Sequence, residues 1–210
     1  MTRRIPLQEE SLAHEHDAER YGKGHQAFFK LMYRPCLRDV KAFNLSGRYL
    51  EIGAGPGMLA AMMAGTRPDI HITALDLSAP MADIGRKNIM ENNLQDRVQY
   101  LVGDTTDEKF MAGLGQFDLV YSTYSLHHWQ DVEKGVFNLW QAVKAGGLMY
   151  ILDLKRAGWL YHLPFNGGFM SSIRASFQPH EVEELLKKTG MNRFRVRTEF
   201  PFVLTVTAWK

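Results

Sequence analysis

Only one cysteine, Cys36, stands among the 210 residues. That excludes an internal disulfide framework, and one thiol cannot by itself build a thiolate metal site. No apolar run approaches the ~20 residues of a membrane span. The amino end (Arg3, Arg4, Gln8, Glu9, Glu10) lacks the apolar segment of a secretory signal. An excess of one charge is also missing: 25 Lys and Arg against 23 Asp and Glu leave a formal net charge of +2. A polyanionic partner is therefore not expected. The histidine pairs His14-x-His16 and His127-His128 have no H-E-x-x-H motif or cysteine cluster beside them, so no metal is expected. With 45% hydrophobic and 23% charged residues, the chain reads as a soluble globular protein of a reducing cytoplasm, of a length suited to one domain.

What is present is alternation. Strand-like runs at 48–53, 70–76, 97–102, 117–123 and 147–153 are separated by helix-like segments at about 57–65, 79–92, 106–114 and 131–144. That order predicts a doubly wound, mostly parallel α/β sheet covered on both faces. The carboxyl-terminal part breaks the rule. A helix over 178–189, with Pro179 in its first turn and Gly190 past its end, precedes two runs, 192–199 and 202–209, joined at Pro201 without a helix between them. They are expected to pair antiparallel. Residues 1–24 read as a charged, mobile arm, and residues 154–177 fit no regular pattern. The predicted division is a helical extension over 1–44 and a main domain over 45–210, with an insertion at 154–177.

The first strand runs into Glu51-Ile52-Gly53-Ala54-Gly55-Pro56-Gly57. Glycine-rich turns between a strand and a helix bring backbone N–H groups close to a ligand. A dinucleotide fingerprint, G-x-G-x-x-G, would place its third glycine at position 58, where this chain has Met58. Asp76 ends the second strand about 20 residues on, the position of a carboxylate that accepts ribose hydroxyls, although it is also placed to cap the next helix. Gly103-Asp104 ends the third strand and reads equally as a turn. The fourth strand and its sequel read Phe117-Asp118-Leu119-Val120-Tyr121-Ser122-Thr123-Tyr124-Ser125-Leu126-His127-His128-Trp129.

Four motifs at four successive strand ends, the first spaced E-x-G-x-G-x-G, resemble in their order the class I S-adenosylmethionine-dependent methyltransferases over residues 45–155. The closing Trp209-Lys210 and the His-His pair are similar to the quinone-biosynthesis methyltransferases. The resemblance implies a Rossmann-like doubly wound sheet with an antiparallel C-terminal strand pair, and S-adenosyl-L-methionine as cofactor. It further implies Glu51 at the methionine part, Asp76 at the ribose, and Gly53, Ala54, Gly55, Gly57, Leu77 and Met81 among the cofactor-binding residues. Asp104 and Thr105 would lie at the adenine, and Ser122, Thr123 and Leu126 near the transferred methyl. Tyr21, in the N-terminal arm, would cover the methionine end as a lid or stand exposed.

Methyl transfer is an in-line displacement in which the enzyme holds nucleophile and methyl together and excludes water. A base is needed only where the acceptor carries a proton. His128 is the candidate base, set against a purely structural turn; Asp153, ending the fifth strand, is as readily a structural hydrogen-bond partner. Trp159, Tyr161, His162, Phe165 and Phe169 in the insertion suit a movable wall around an apolar substrate or a core patch under a loop. Alternating Arg193, Arg195 and Arg197 read as a charged edge strand, without aromatic residues to stack bases, so nucleic acid is not expected. The expected function is methyl transfer to a small-molecule acceptor. The rivals are a nicotinamide-dependent oxidoreductase and a cofactor-binding scaffold without catalysis.

Overall fold

The computed structural model describes residues 2–7, 26–164, 167–199 and 201–210. Helix α1 (Gln26–Phe43) precedes strand β1 (Gly47–Ile52). There follow α2 (Met58–Thr66), β2 (Ile70–Asp76), α3 (Ala79–Glu91), β3 (Val98–Val102), α4 (Glu108–Gly113) and β4 (Phe117–Thr123). A 3-10 turn (Leu126–His128) leads to α5 (Val132–Ala142) and β5 (Val143–Leu154). The insertion carries α6 (Gly158–Tyr161) and α7 (Gly168–Ala175), and the chain closes with α8 (Pro179–Lys188), β6 (Phe194–Glu199) and β7 (Val203–Trp209).

The strands form one seven-stranded sheet in the order β3-β2-β1-β4-β5-β7-β6. Neighbours from β3 to β5 are parallel, whereas β7 runs antiparallel to both β5 and β6. The order reverses direction between β1 and β4, so their carboxyl ends open the crevice in which α/β sheets receive ligands. The antiparallel β7 separates this sheet from a plain six-strand dinucleotide fold, as expected from the helix-free junction at Pro201.

Successive side chains on a strand point to opposite faces, and that period divides the core. Leu50, Ile52, Val120, Met149 and Ile151 pack with Val136 and Leu139 of α5 and Val182 and Leu186 of α8. Tyr49, Leu119, Tyr121, Tyr150 and Leu152 pack on the other face with Cys36 and Val40 of α1, Leu59 and Met63 of α2, and Ala82 and Ile89 of α3. Glu51 lies between Leu50 and Ile52 and so shares this second face; its carboxylate meets the Tyr121 hydroxyl.

Three boundaries differ from expectation. Helix α5 stops at Ala142, and Val143 already pairs with Phe117. Gly146 has φ 79°, and a Cβ at Gly147 would lie 2.9 Å from the Asp118 carbonyl oxygen, so this stretch joins the sheet instead of extending the helix. The insertion is not patternless. Leu154, Ala157, Leu160, Met170 and Ile173 form a small core of its own, closed by a bridge between Lys155 and Phe177. Finally, residues 2–7 are docked: Ile5 N donates to Arg174 O (3.1 Å), and Arg4 Nε donates to Ala175 O (2.7 Å) with its guanidinium over the Phe177 ring.

Candidate functional site

The glycine turn has a conformation that few other residues tolerate. Gly53, Gly55 and Gly57 have φ values of 65°, 53° and 73°, in the left-handed region that costs an L-residue roughly 1–2 kcal/mol. Their surroundings differ. A Cβ at Gly53 would strike Ser125 Oγ at 2.1 Å, whereas a Cβ at Gly55 would meet nothing within 4 Å. Open space therefore lies directly over the backbone of Gly55. Three side chains secure the turn from below: Gly55 N donates to Asp76 Oδ2 (2.7 Å), Asn88 Nδ2 donates to Pro56 O (2.8 Å), and the Tyr100 hydroxyl donates to Gly55 O. Tyr100 fits because α3 has Gly85 opposite it, where a Cβ would lie 2.3 Å from the ring. The sequence reading passed over Asn88 and Tyr100, since neither belongs to a strand-end motif.

Two carboxyl groups floor this space. Asp76 Oδ1 accepts from Ser78 N (2.9 Å) while Oδ2 holds Gly55. Burial pushes Asp76 up, and the backbone N–H groups of Ser78, Gly55 and Leu77 pull it back. Its helix-capping role falls to Ser78, whose Oγ accepts from Met81 N. Glu51 is buried and, among the described residues, accepts only from the Tyr121 hydroxyl, at 3.0 Å. Desolvation raises Glu51 to about 8; the Tyr121 hydrogen bond opposes this and the nearby Asp76 charge adds to it. Glu51 is therefore mostly protonated at neutral pH in the ligand-free protein, and a cationic ligand placed beside it and Asp76 favours its ionised form.

Beside Asp76 the surface turns apolar. Leu77 is 65% and Val102 40% exposed, large apolar side chains left open on adjacent strand ends. Met81 is half-buried at the start of α3. Asp104 is exposed, with Oδ1 accepting from Thr106 N (2.7 Å); Thr105 O accepts from Asn138 Nδ2 (2.8 Å). The turn reading of Gly103-Asp104 thus holds structurally and leaves one Asp104 oxygen without a protein partner among the described residues.

At the end of β4, Ser122 and Thr123 are buried, and Ser122 Oγ has no hydrogen-bond partner among the described residues. Tyr124 follows at φ 52°, an uncommon conformation for a bulky residue. It is held there by Tyr124 N to Leu152 O (2.7 Å) and by its hydroxyl to Met32 O (3.0 Å). Leu126 is buried beneath the next turn. His127 is buried and bound twice to Asp153: its N–H to Oδ2 at 2.9 Å and its Nδ1 to Oδ1 at 2.6 Å. The His128 ring lies 4.2 Å away, centroid to centroid, tilted by 39°. His128 Nδ1 is buried without a partner among the described residues. Desolvation lowers His128 to about 4, with His127 adding to the effect and Asp153 opposing it, so this ring is neutral at neutral pH.

The strand-end residues expected from the sequence therefore converge on one crevice: Glu51, Gly53, Ala54, Gly55, Gly57, Asp76, Leu77 and Met81 on the β1–β2 side, Asp104 and Thr105 on β3, and Ser122, Thr123, Leu126 and His128 after β4. Tyr21 lies outside the described residues. Asp118 sits at the opposite end of its strand, accepting from Arg48 N and Lys144 Nζ. Among the described residues no cluster of metal-ligating side chains occurs, and no helix is long and apolar enough to cross a membrane. An adenosyl sulfonium compound fits what is present: a cradle that a side chain at Gly55 would fill, acidic groups for its positive charges, exposed apolar side chains for a ring, and the unpaired Ser122 hydroxyl.

Known proteins agree. A family model described as a methyltransferase domain matches residues 50–149. The chain is 26% identical over 180 residues to the demethylmenaquinone methyltransferase of Porphyromonas gingivalis, covering 75% of this chain and 73% of the relative. It is also 26% identical over 164 residues to the ubiquinone/menaquinone biosynthesis C-methyltransferase UbiE of Geotalea daltonii, covering 72% and 68%. A putative S-adenosyl-L-methionine-dependent methyltransferase from Methanococcus maripaludis superposes with a TM-score of 0.72 at 23% identity, over 93% of each chain. The strand order with its antiparallel β7, the glycine turn and these matches lead to one conclusion: the chain has the class I methyltransferase fold and is an S-adenosylmethionine-dependent methyltransferase similar to the quinone methyltransferases, with S-adenosylmethionine as its cofactor.

Proposed function

We propose that the small-molecule acceptor is an electron-rich aromatic ring of the reduced-quinone type, methylated at carbon. One observation carries the reading. The His127-His128 turn packs on α7 of the insertion, and the insertion has an apolar core of its own with exposed Trp159 and Phe169. Such a wall suits a planar apolar acceptor, and the two relatives above are named for quinone substrates.

When bound, S-adenosylmethionine supplies an electrophilic methyl group on a positively charged sulfur. Asp76 has a lone pair left on each oxygen for ribose hydroxyls while it keeps Gly55 in place. Asp104 and Thr105 stand at the β3 end for the adenine edge, with Leu77 and Val102 offering apolar faces to the ring. Glu51 and the turn around Gly53, Ala54, Gly55 and Gly57 receive the charged methionine part. Ser122 and Thr123, with Leu126 beneath, face the sulfur end. Residues 45–210 form the catalytic body, the insertion at 154–177 lines the acceptor side, and the expected setting is the cytoplasm.

The reading is tested in two steps. Thermal stabilisation by S-adenosylmethionine and S-adenosylhomocysteine, with none by NAD, is expected, because a ligand selective for the folded state raises apparent stability. A 2-prenyl-1,4-naphthoquinol kept reduced should then gain one methyl group at ring carbon, read by mass spectrometry. Methylation of a phenol or thiol but not of this quinol would refute the acceptor class.

A further inference from the structure

We propose that His127, and not His128, takes the acceptor's proton, and that Asp153 positions it for that task. The inference rests on the methyl-transfer reading above but concerns residues whose geometry is independent of the acceptor's identity.

Asp153, at the end of β5, is 1% exposed and bonds three times. Oδ2 accepts from His127 N (2.9 Å), and Oδ1 accepts from Leu154 N (2.7 Å) and meets His127 Nδ1 (2.6 Å). A carboxylate that holds two backbone N–H groups is an acceptor toward the ring as well, so Nδ1 carries the proton and the lone pair sits on Nε2. That nitrogen bonds to nothing among the described residues and, unlike Nδ1 of His128, is not one of the sealed, unpartnered atoms. An imidazole whose inner nitrogen is fixed by a buried carboxylate and whose outer nitrogen is free is the arrangement of a general base.

The other groups around the ring complete the case. His128 stacks against it, and Arg4 of the docked N-terminal segment reaches the His127 carbonyl oxygen at 3.4 Å. Arg4 Nε donates to Ala175 O and its charge also feels Asp153, but Asp153 is the anion bonded directly to the His127 ring, where an imidazolium would form. His128 has no carboxylate on its ring, and burial keeps it neutral. It serves as a wall against which His127 packs.

The step balances without any further reactant. The acceptor's O–H proton passes to Nε2 of His127 as the conjugated carbon forms a bond to the methyl carbon. The C–S bond breaks with its electron pair remaining on sulfur. The ring proton on the methylated carbon then passes to water as aromaticity is restored, and the imidazolium returns its proton to the ring oxygen, so that one proton is released in all.

His127→Asn keeps a side-chain donor where Nδ1 stood and deletes Nε2; Asp153→Asn removes the anion; His128→Gln is the contrast. The probes are the reduced naphthoquinol and thiophenol, which is ionised at the assay pH and needs no base. With S-adenosylhomocysteine affinity preserved by calorimetry, His127→Asn should lower kcat on the quinol by roughly 10²–10⁴-fold and lose the acidic limb of the pH profile, with a far smaller fall on the thiolate. His128→Gln should retain that limb, and Asp153→Asn should lower kcat more than it alters KM. A His127→Asn enzyme with wild-type kcat and pH profile on the quinol would overturn the proposal. If the wild-type enzyme methylates neither probe, the acceptor reading fails. The ring nitrogen-15 spectrum of the S-adenosylhomocysteine complex then decides: protonated Nδ1 with bare Nε2 supports the assignment, and protonated Nε2 overturns it.

Discussion

Replacing Glu51 by Gln should make the ligand-free protein more stable, by an amount that grows with pH. Glu51 is buried, accepts a single hydrogen bond among the described residues, from Tyr121, and lies near the Asp76 carboxylate, Tyr100 and the buried Cys36 thiol. Desolvation lifts it from 4.5 to about 8. The folded protein therefore holds this proton more tightly than the unfolded chain does. Between pH 4.5 and about pH 8 it binds more protons than the unfolded chain, so stability falls as pH rises through that window. Each unit inside it is worth about 1.4 kcal/mol, less near the upper end where the folded group itself ionises. From pH 6 to pH 8 the loss is about 2 kcal/mol, or roughly 4–8 °C in Tm for a chain of this size. Gln retains an acceptor for Tyr121 and has no charge to desolvate. Differential scanning calorimetry of both proteins from pH 5 to pH 9, compared as a difference, isolates this group from all others that titrate. A Tm difference constant across that range would refute the assignment of a neutral, buried Glu51.

The glycine turn allows a sharper separation of folding from binding. Gly55→Val places a β-branched residue at φ 53° but against open space, so a loss of roughly 1–2 kcal/mol of stability with abolished S-adenosylhomocysteine binding is expected; normal calorimetric binding would sink the cradle. Asp76→Ala should weaken that binding by roughly 1.5–3 kcal/mol, the range for charge-assisted hydrogen bonds. It should also lower Tm, because Gly55 N and Ser78 N lose their acceptor; unchanged affinity would refute the ribose role. Arg156→Met breaks a buried guanidinium from Glu181 Oε1 (2.6 Å) and Ser176 O (2.8 Å). A loss of about 3–5 kcal/mol and faster proteolysis within 154–177 are expected, and an unaltered cleavage rate would show that Arg156 does not clasp the insertion.

The strands and their order of appearance were legible in the sequence because each signal is local. Period-2 apolar runs, a turn built from glycines and a proline at a helix start act over a few residues and need no partner. The same locality made the crevice readable, since motifs at consecutive strand ends are brought together by any parallel sheet. Where the signal was not local, the reading stopped short. The insertion showed no pattern because its core depends on Leu154 and Ala157 meeting Met170 and Ile173 across a loop, with Phe202 from the far end of the chain packed against it. Residues 2–7 looked like a free arm, and only packing revealed Arg4 over Phe177. The two adjacent histidines are indistinguishable as letters. Twenty-six residues separate His127 from Asp153, and only the parallel pairing of β4 with β5 sets one ring on that carboxylate and leaves the other, half-buried, stacked beside it. Local chemistry thus determined the fold class and the cofactor crevice, and long-range packing decided which side chains in it hold, exclude or exchange a proton.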